Sequence, residues 1–501
     1  MNGPLLVVLA LAIPSLGAAG IALTGPLPQR REGVTLASAV LLALVVVRLA
    51  AGVFTGARPE VELFEIMPAF PIALKLEPLG MLFALVASLL WIVNSIYSIG
   101  YMRSNHEPRQ TSFYVCFAVA IASTLGIAFA GNLLTLFLFY EVLTLSTYPL
   151  VAHHGDAQAR RGARTYLTVL LFTSIIFFLP AILWTGALSG TLDFRPGGIL
   201  AGRAGPLATA ALLALYVFGI GKAALMPFHR WLPSAMVAPT PVSALLHAVA
   251  VVKAGVFTVL KVVVYVFGPQ HLLETGASTW LVYVASFSLL AASIVALTRQ
   301  NLKARLAYST VSQLAYVVLG AALASPLALV GAAMHIVMHA AGKITLFFCA
   351  GAIYTAHHKT EINQLDGIGR RMPFTMAAFF VAALSVIGLP PLGGAWSKLY
   401  LALGGLEGGH GFVLAVLMSS TLLNVAYLMP IVGRAFFPLH PRTRGDGSPE
   451  GIAEAPKLCV IPLGITAALC VVLFFLAGDL EAMLSELFQA APPVPLAQGG
   501  G

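Results

Sequence analysis

Long apolar runs separated by short polar segments make up most of this chain. A helix that crosses a bilayer needs about 20 mainly apolar residues, and the runs here are of that length. By this measure we predict fourteen transmembrane helices. They cover residues 4–24, 33–54, 78–101, 112–130, 132–152, 164–187, 206–226, 241–267, 278–298, 303–323, 326–355, 373–403, 411–435 and 458–478. The expected fold is an all-α polytopic membrane protein.

Charge is scarce, and its position predicts the topology. Hydrophobic residues make up 59% of the sequence and charged residues only 9%, against about 25% charged in a soluble domain. The net charge of +9 comes mainly from loops after odd-numbered helices, because loops after even-numbered helices hold only Arg58, Lys75, Arg195 and Arg203. By the positive-inside rule, both termini lie on the non-cytoplasmic side of the cell (cytoplasmic or inner) membrane. We therefore expect the lipid bilayer as a partner, and no nucleic acid.

The cysteines give no sign of a metal or redox centre. Four are present, isolated in or beside apolar runs, at positions 116, 349, 459 and 470. None belongs to a CxxC pair or to a metal-ligand spacing, so we expect no metal and no cofactor. The first apolar run has no basic segment before it, and we interpret it as a retained span rather than a signal peptide.

Titratable groups inside the apolar runs are the candidate functional residues. Glu141 is the only acidic residue within the predicted spans, and Lys222, His247 and Lys253 lie in two spans further along. A charge at the centre of a bilayer costs at least about 2.5–3.5 kcal/mol, so such residues indicate function. Two structural alternatives remain: Lys222 could extend to the membrane surface, and a protonated Glu141 could hydrogen-bond between helices.

A further set of titratable residues has helical spacing. His335, His339 and Lys343 are four residues apart, which puts them on one stripe of a helix about 6 Å apart. Such a stripe is what a proton relay requires. Each histidine alone could equally be an interhelical hydrogen-bonding group.

Two predicted helices are interrupted by proline and each carries a lysine. Helix 7 holds Lys222 and is expected to break near Pro227, and helix 12 holds Lys398 and is expected to break at Pro390 and Pro391. Broken helices line ion pathways in transporters, because freed backbone groups are tolerated only in protein or next to water. The five-helix offset predicts two inverted repeats, helices 4–8 and 9–13.

These repeats divide the chain into four parts. They are an N-terminal three-helix segment (1–111), a first repeat (112–267), a second repeat (278–435), and a final part with a loop, the last span and an amphipathic tail (436–501). Each repeat would form one proton half-channel.

The motifs resemble those of the antiporter-like membrane subunits shared by Mrp cation/proton antiporters, respiratory complex I and membrane-bound hydrogenases. The similar segments are FYEVLTLSTYPLV, GKAALMPFHRWLPSAMVAPTPVSALLHAVAVVKAG, HIVMHAAGKITLFFCAGAIY, HKTEINQLDGIGRRMP and GLPPLGGAWSK. The resemblance implies that Glu141 is the partner of Lys222, that Lys253 or His247 connects onward, that His335, His339 and Lys343 follow, and that Lys398 ends the second half-channel. A carboxylate about 4 Å from Lys222 would favour the protonated lysine by roughly 4 kcal/mol at an effective dielectric of 20, so moving Glu141 away would release the proton.

The resemblance also bears on the type of subunit and on the energy source that drives proton transport. Lysine at position 398 and the absence of a long lateral helix indicate the D-type Mrp subunit first, and an L- or N-type complex I subunit or a hydrogenase relative as the alternative. The resemblance implies a subunit of a hetero-oligomer that moves protons, with sodium as the candidate counter-ion. The chain has no catalytic cofactor of its own, and the sequence leaves open whether the complex is a redox-driven translocase. An inactive structural scaffold and a self-contained quinone reductase are two further alternatives. The sequence has no flavin, haem or cluster motif to support the latter.

Overall fold

The computed structural model describes residues 3–67, 70–437 and 451–488. Within these residues, twelve helices are long and apolar enough to cross a membrane, and two shorter apolar helices begin the two broken segments. We number the helices α1 (Gly3–Leu23), α2 (Pro28–Val53), α3 (Pro78–Ser104), α4 (Gln110–Phe129), α5 (Leu133–Val151), α6 (Ala157–Ser189), α7 (Pro206–Gly219), α8 (Thr240–Phe267), α9 (Thr279–Thr298), α10 (Leu302–Leu323), α11 (Pro326–His357), α12 (Pro373–Ile387), α13 (Gly394–Glu407), α14 (Phe412–Phe436), α15 (Lys457–Phe475) and α16 (Ala477–Phe488).

The helical, multi-span fold is confirmed, while the count of fourteen crossings stays a prediction that depends on the two broken segments. The last part of the predicted tail, residues 489–501, and most of the predicted loop, residues 438–450, lie outside the described residues. The short helix α16 occupies the start of that tail and has one apolar and one polar side, as the sequence predicts for an amphipathic segment.

Two β-strands lie between α2 and α3 in the described part of the chain. Residues Glu60–Met67 (β1) and Phe70–Lys75 (β2) form an antiparallel hairpin, with Glu60 paired to Lys75 and Val61 to Leu74. The sequence analysis predicted no strand, so this hairpin is an addition to the predicted helical membrane fold. The segment alternates acidic and apolar residues at Glu60–Glu62, a period typical of a strand with one polar side.

Polar caps fix where several helices begin. The side chains of Asn132, Asp156, Asn301 and Ser325 each accept a hydrogen bond from a backbone N–H three residues further on. Such a cap satisfies one of the free N–H groups in the first turn of a helix. It explains why α6 starts at Ala157 rather than at the predicted residue 164, although its first turns are rich in arginine.

The loops gather at two opposite faces. At one, which we call the hairpin face (residues 60–75, 130–132 and 190–198), bridges join Leu74 to Ala130 and Asn132 to Asp193. At the other, the basic face (residues 105–109, 152–156, 237–240, 299–303 and 358–362), Asn301 bridges Glu361. The loops after the predicted helices 3, 5, 7, 9 and 11 thus share the basic face, as the charge pattern predicts.

The innermost helices carry the candidate residues. Helix α8 is buried along its whole span, and α10 and α11 are buried over almost all of theirs. Because so little of these helices faces the surrounding membrane, their polar side chains can be satisfied only inside the protein, by other protein groups or by internal water.

Candidate functional site

The first broken segment places Lys222 at the centre of the protein. Helix α7 ends before a short 3₁₀ turn, Gly221–Ala223, that carries the fully buried Lys222. Pro227 lies in the irregular chain that follows, and the Nε1 atom of Trp231 donates a hydrogen bond to the Gly221 carbonyl at 2.9 Å. The break is therefore in the segment where the sequence places it, and it starts ahead of Pro227.

Lys222 binds to one turn of α5. Its Nζ atom donates to the Tyr140 carbonyl at 2.8 Å and to Thr144 Oγ1 at 2.5 Å, and it lies 3.1 Å from the centre of the Tyr140 ring. A carbonyl, a hydroxyl and an aromatic face are all favourable neighbours for an ammonium group. The lysine is thus held by neutral groups, and it does not extend to the membrane surface.

Glu141 does not form the predicted direct pair with Lys222. It lies on the same turn of α5, between Tyr140 and Thr144, but neither of its buried carboxylate oxygens has a hydrogen-bond or ion-pair partner among the described residues. The neutral groups of α5 fill the position that the sequence assigned to the carboxylate. Nor is Glu141 the only acidic residue within the helices, because α2 begins at Pro28 and includes Glu32, which binds Arg103.

A hydrogen bond joins the second lysine to the histidine stripe. The Nζ atom of Lys253 on α8 lies 2.6 Å from Nδ1 of His339 on α11. One turn away, the His335 ring stacks on the His339 ring with centres 5.7 Å apart. All three side chains are buried, so the predicted stripe and the predicted eighth-helix connection meet across two helices.

The stripe continues to the second broken segment. His335 Nδ1 lies 2.9 Å from Ser397 Oγ, and the next residue, Lys398, donates from Nζ to the Ile387 carbonyl at 2.8 Å. The Tyr316 ring stacks on His335 and lies 4.8 Å below the Lys398 ammonium. Lys253, His339, His335 and Lys398 therefore belong to one continuous cluster, which we call the buried row.

The second break makes room for Lys398. Pro390 and Pro391 lie between α12 and α13, where the chain has no regular structure. Gly388 has a φ of +94°, and a Cβ atom there would lie 2.7 Å from Lys398 Cδ. A glycine is needed because the conformation is left-handed and the lysine side chain occupies the space.

Two predicted residues lie off the buried row. Lys343 turns toward α10, where its Nζ donates to Ser309 Oγ at 2.6 Å. His247 packs against the Phe347 ring, 4.6 Å between centres, and neither of its ring nitrogens has a hydrogen-bond partner within the described chain. The stripe of His335, His339 and Lys343 therefore divides at Lys343.

Close backbone packing connects the two lysine segments of the first repeat. A Cβ atom at Gly255, on α8, would lie 2.3 Å from the carbonyl carbon of Lys222. Only glycine allows α8 to come this close to the broken segment. The backbone segments that carry Lys222 and Lys253 are thus in direct contact, although no hydrogen bond joins the two side chains in the described structure.

Sequence reasoning assigned no role to another buried lysine. Lys261, two turns along α8 from Lys253, donates to the Ala130 carbonyl at 2.6 Å and lies 3.6 Å from Glu77 at the hairpin face. The only sequence signal was its position inside an apolar run. Its partner could not be found, because Glu77 precedes α3 and is far away in the chain.

Together the fold and the buried row define a polytopic membrane protein with titratable groups linked through its interior. A family profile described as "NADH:quinone oxidoreductase/Mrp antiporter, TM" matches residues 130–424, so the chain belongs to this antiporter-like family. The resemblance found in the sequence is thereby confirmed.

The relatives come from several kinds of complex. The N-type subunit of the NADH-quinone oxidoreductase of Desulforudis audaxviator is 34% identical over 394 residues, 78% of this chain and 76% of that protein. The D-type subunit of the Na(+)/H(+) antiporter of Alkalihalophilus pseudofirmus is 26% identical over 438 residues, 87% of this chain and 86% of that protein. A chain of the Mrp complex from Dietzia sp. DQ12-45-1b has the same fold, with a TM-score of 0.84, 22% identity and 97% of both chains covered.

Proposed function

We propose that the protein is the proton-translocating subunit of a multisubunit Mrp-type cation (sodium)/proton antiporter in the cell membrane. The observation that carries the proposal is the buried row from Lys253 through His339 and His335 to Lys398. Keeping these groups in a membrane interior is costly. An inactive scaffold would have no need of them. Lys253 and His339 lie at hydrogen-bond distance, His339 stacks on His335, and Ser397 links His335 to the segment that carries Lys398, so the row can serve as a transfer path.

Lys222 and Glu141 provide the step that controls entry to the row. Lys222 is held on the turn of α5 that also carries Glu141. Turning the carboxylate toward the ammonium group would favour the protonated lysine by roughly 4 kcal/mol at 4 Å and an effective dielectric of 20. Turning it away would favour transfer of the proton toward Lys253, whose helix packs directly on the Lys222 backbone.

The chain requires partners in this function, because it has no cofactor motif that could supply energy. Glu141 lies on a side of α5 where Leu138, Val142 and Leu145 are exposed. A carboxylate beside such an apolar surface is favoured only when the surface is covered by protein. Another membrane subunit of the same complex would cover it, and the cation gradient would act through that subunit. By the charge rule, both termini would face away from the cytoplasm.

A second candidate is a proton-pumping membrane subunit of a complex I-like NADH-quinone oxidoreductase or a membrane-bound hydrogenase. The observation in its favour is the higher sequence identity to the N-type oxidoreductase subunit than to the D-type antiporter subunit. Both functions use the same buried row, and they differ in the energy source that drives proton transfer along it.

The deciding experiment reconstitutes the complex, purified in mild detergent, into vesicles. A sodium gradient that moves protons supports the antiporter, and proton movement that needs a quinone and its reductant supports the second candidate. Lys222→Ala should abolish either activity, whereas the exposed Lys457→Ala should leave it unchanged. Robust proton transport by this polypeptide alone would contradict the need for partner subunits.

A further inference from the structure

A cavity of about 360 Å³ opens at the basic face. Its walls come from the loops after helices α3, α5, α9 and α11 and from the segment before α8. Its lining includes Glu107, His154 and Asp156, the lysines Lys303 and Lys359, and Thr240, where α8 begins. The cavity thus reaches from the membrane surface to the start of the most buried helix.

Two histidines share one carboxylate at this cavity. Glu107 Oε2 lies 3.5 Å from His153 Nε2 and 3.3 Å from His154 Nε2. The Glu107 and His153 side chains are buried, and that of His154 is 36% exposed. His154 is therefore the member that can take a proton from water, with two further titratable groups directly behind it.

The charges of the cluster favour proton binding at His154. Burial opposes ionisation of Glu107, but the hydrogen bonds and charges of the two histidines lower its pKa to about 2. The hydrogen bond to Glu107 in turn raises the pKa of His154, against the opposing effects of burial and of the Lys303 charge. Lys303 itself donates to the Ala238 carbonyl at 2.7 Å, and Arg109 binds the His153 carbonyl.

A line of polar side chains runs from the cavity toward the buried row. Thr240, Ser243 and His247 are three and four residues apart, so they share one face of α8 over about 10 Å. Ser243 Oγ, both ring nitrogens of His247 and the neighbouring Asn94 Oδ1 have no hydrogen-bond partner within the described residues. Buried polar groups of this kind are the usual binding sites of internal water.

We propose that Glu107, His153 and His154 form a proton-loading site, which delivers protons through the cavity and the Thr240–Ser243–His247 face of α8 to Lys253. Protons then pass along hydrogen-bonded water from His154 to His247, and each group returns to its starting state after transfer. This inference rests on the proposed proton transport. It adds the residues that collect protons at the basic face, and it gives His247 the role of connecting them to the row.

The test is the pH dependence of proton transport by the whole complex in vesicles, comparing Glu107→Gln with the matched control Glu274→Gln, an exposed glutamate near the hairpin face. Without the Glu107 charge, His154 should hold its proton less firmly. A fall of one pKa unit lowers the protonated fraction about tenfold at pH values well above the pKa. Transport by Glu107→Gln should therefore fall about tenfold near pH 8 and stay close to wild type near pH 6, with Glu107→Asp restoring part of the loss.

Each outcome of this experiment either supports or overturns the loading site. A Glu107→Gln complex whose pH profile is parallel to that of wild type overturns the loading site, and so does a loss of activity that is equal at all pH values. If Glu107→Gln fails to assemble, His154→Gln replaces it. Because glutamine cannot bind a proton at any of these pH values, transport by His154→Gln should fall about tenfold or more at both pH 6 and pH 8, and transport equal to wild type at both pH values overturns the proposal. Lys222→Ala distinguishes a failure of the loading site from a failure of the proposed function. If the wild-type complex transports protons, Lys222→Ala does not, and Glu107→Gln keeps the wild-type pH profile, only the loading site is refuted. If the wild-type complex transports no protons, the proposed function is refuted.

Discussion

The two lysines beside the helix breaks have similar surroundings but differ in one respect. Lys222 donates to a backbone carbonyl and lies over the Tyr140 ring, and Lys398 donates to the Ile387 carbonyl and lies over the Tyr316 ring. Each ammonium group thus rests on a carbonyl and an aromatic face. The helix that supplies the ring is α5 in the first case and α10 in the second, and both helices begin at an asparagine cap.

The difference is a carboxylate. Helix α5 carries Glu141 on the turn that holds Lys222, whereas α10 contains no Asp or Glu. In the proposed function, a movement of the Glu141 side chain would switch the proton affinity of Lys222, whereas the proton affinity of Lys398 would be set by fixed dipoles and burial. The two predicted half-channels would then act in sequence, with control at the first and release at the second. The asparagine caps lie on opposite faces, as the predicted inverted repeat requires, and the repeat itself stays a prediction.

The largest effect is expected from Lys222→Ala in the assembled complex. The change removes the proton-binding group itself, and a positioned acid or base contributes typically 10²–10⁴-fold. Proton transport should fall at least about a hundredfold. Vesicle assays of pH-gradient formation measure this, with blotting to confirm assembly and the exposed Lys457→Ala as control. Near-normal transport would exclude Lys222 from the path.

Glu141→Gln is expected to be about as severe, since it removes the charge that distinguishes the first site and keeps the size of the side chain. Glu141→Asp should retain part of the activity, because the charge remains but is drawn back by one methylene. The double variant with Lys222→Ala should be no worse than either single one, since groups that act as a unit are not additive. Full activity of an assembled Glu141→Gln complex would favour the alternative in which Glu141 only joins helices.

Most helix positions could be predicted because apolar runs of about 20 residues leave few alternatives. Starts were missed where charged residues lie inside the first turns. Helix α2 begins at Pro28, ahead of Arg30, Arg31 and Glu32, and α6 begins after the Asp156 cap. A proline at the first helical position and an aspartate cap are sequence signals of these starts, although hydropathy alone passes over them.

The contacts between helices could not be derived from spacing. A stripe on one helix says nothing about which neighbour each side chain meets. His339 turns to Lys253 on α8, whereas Lys343 turns to Ser309 on α10. The pair expected between Glu141 and Lys222 is likewise replaced by bonds to Tyr140 and Thr144, because rotamers and neighbours, and not sequence distance, decide which polar group reaches an ammonium.

A smaller but still large effect is expected from His335→Gln. Glutamine keeps a hydrogen-bonding group near Ser397 and Tyr316 but cannot bind and release a proton at physiological pH. Transport should fall about tenfold or more, since the row would be cut between Lys253 and Lys398. His410→Gln, in the loop between α13 and α14, is the control. If His335→Gln transports normally, protons reach Lys398 by another route.

Ser397→Ala should have the smallest effect on transport. It tests whether a hydrogen bond through Ser397 links His335 to the segment that carries Lys398. The hydroxyl lies 2.9 Å from His335 Nδ1 and also donates to the Gly394 carbonyl at 3.2 Å. A hydrogen bond of this kind contributes about 1 kcal/mol, so transport should fall about fivefold without loss of assembly. Ser286→Ala on α9 is the matched control, because it removes a buried hydroxyl that has no partner in the described structure. Ser397→Cys, which keeps a weak donor, should be intermediate. Equal transport by Ser397→Ala and Ser286→Ala would mean that the proton passes from His335 to Lys398 without the Ser397 hydroxyl, for example beside the Tyr316 ring, which both groups contact.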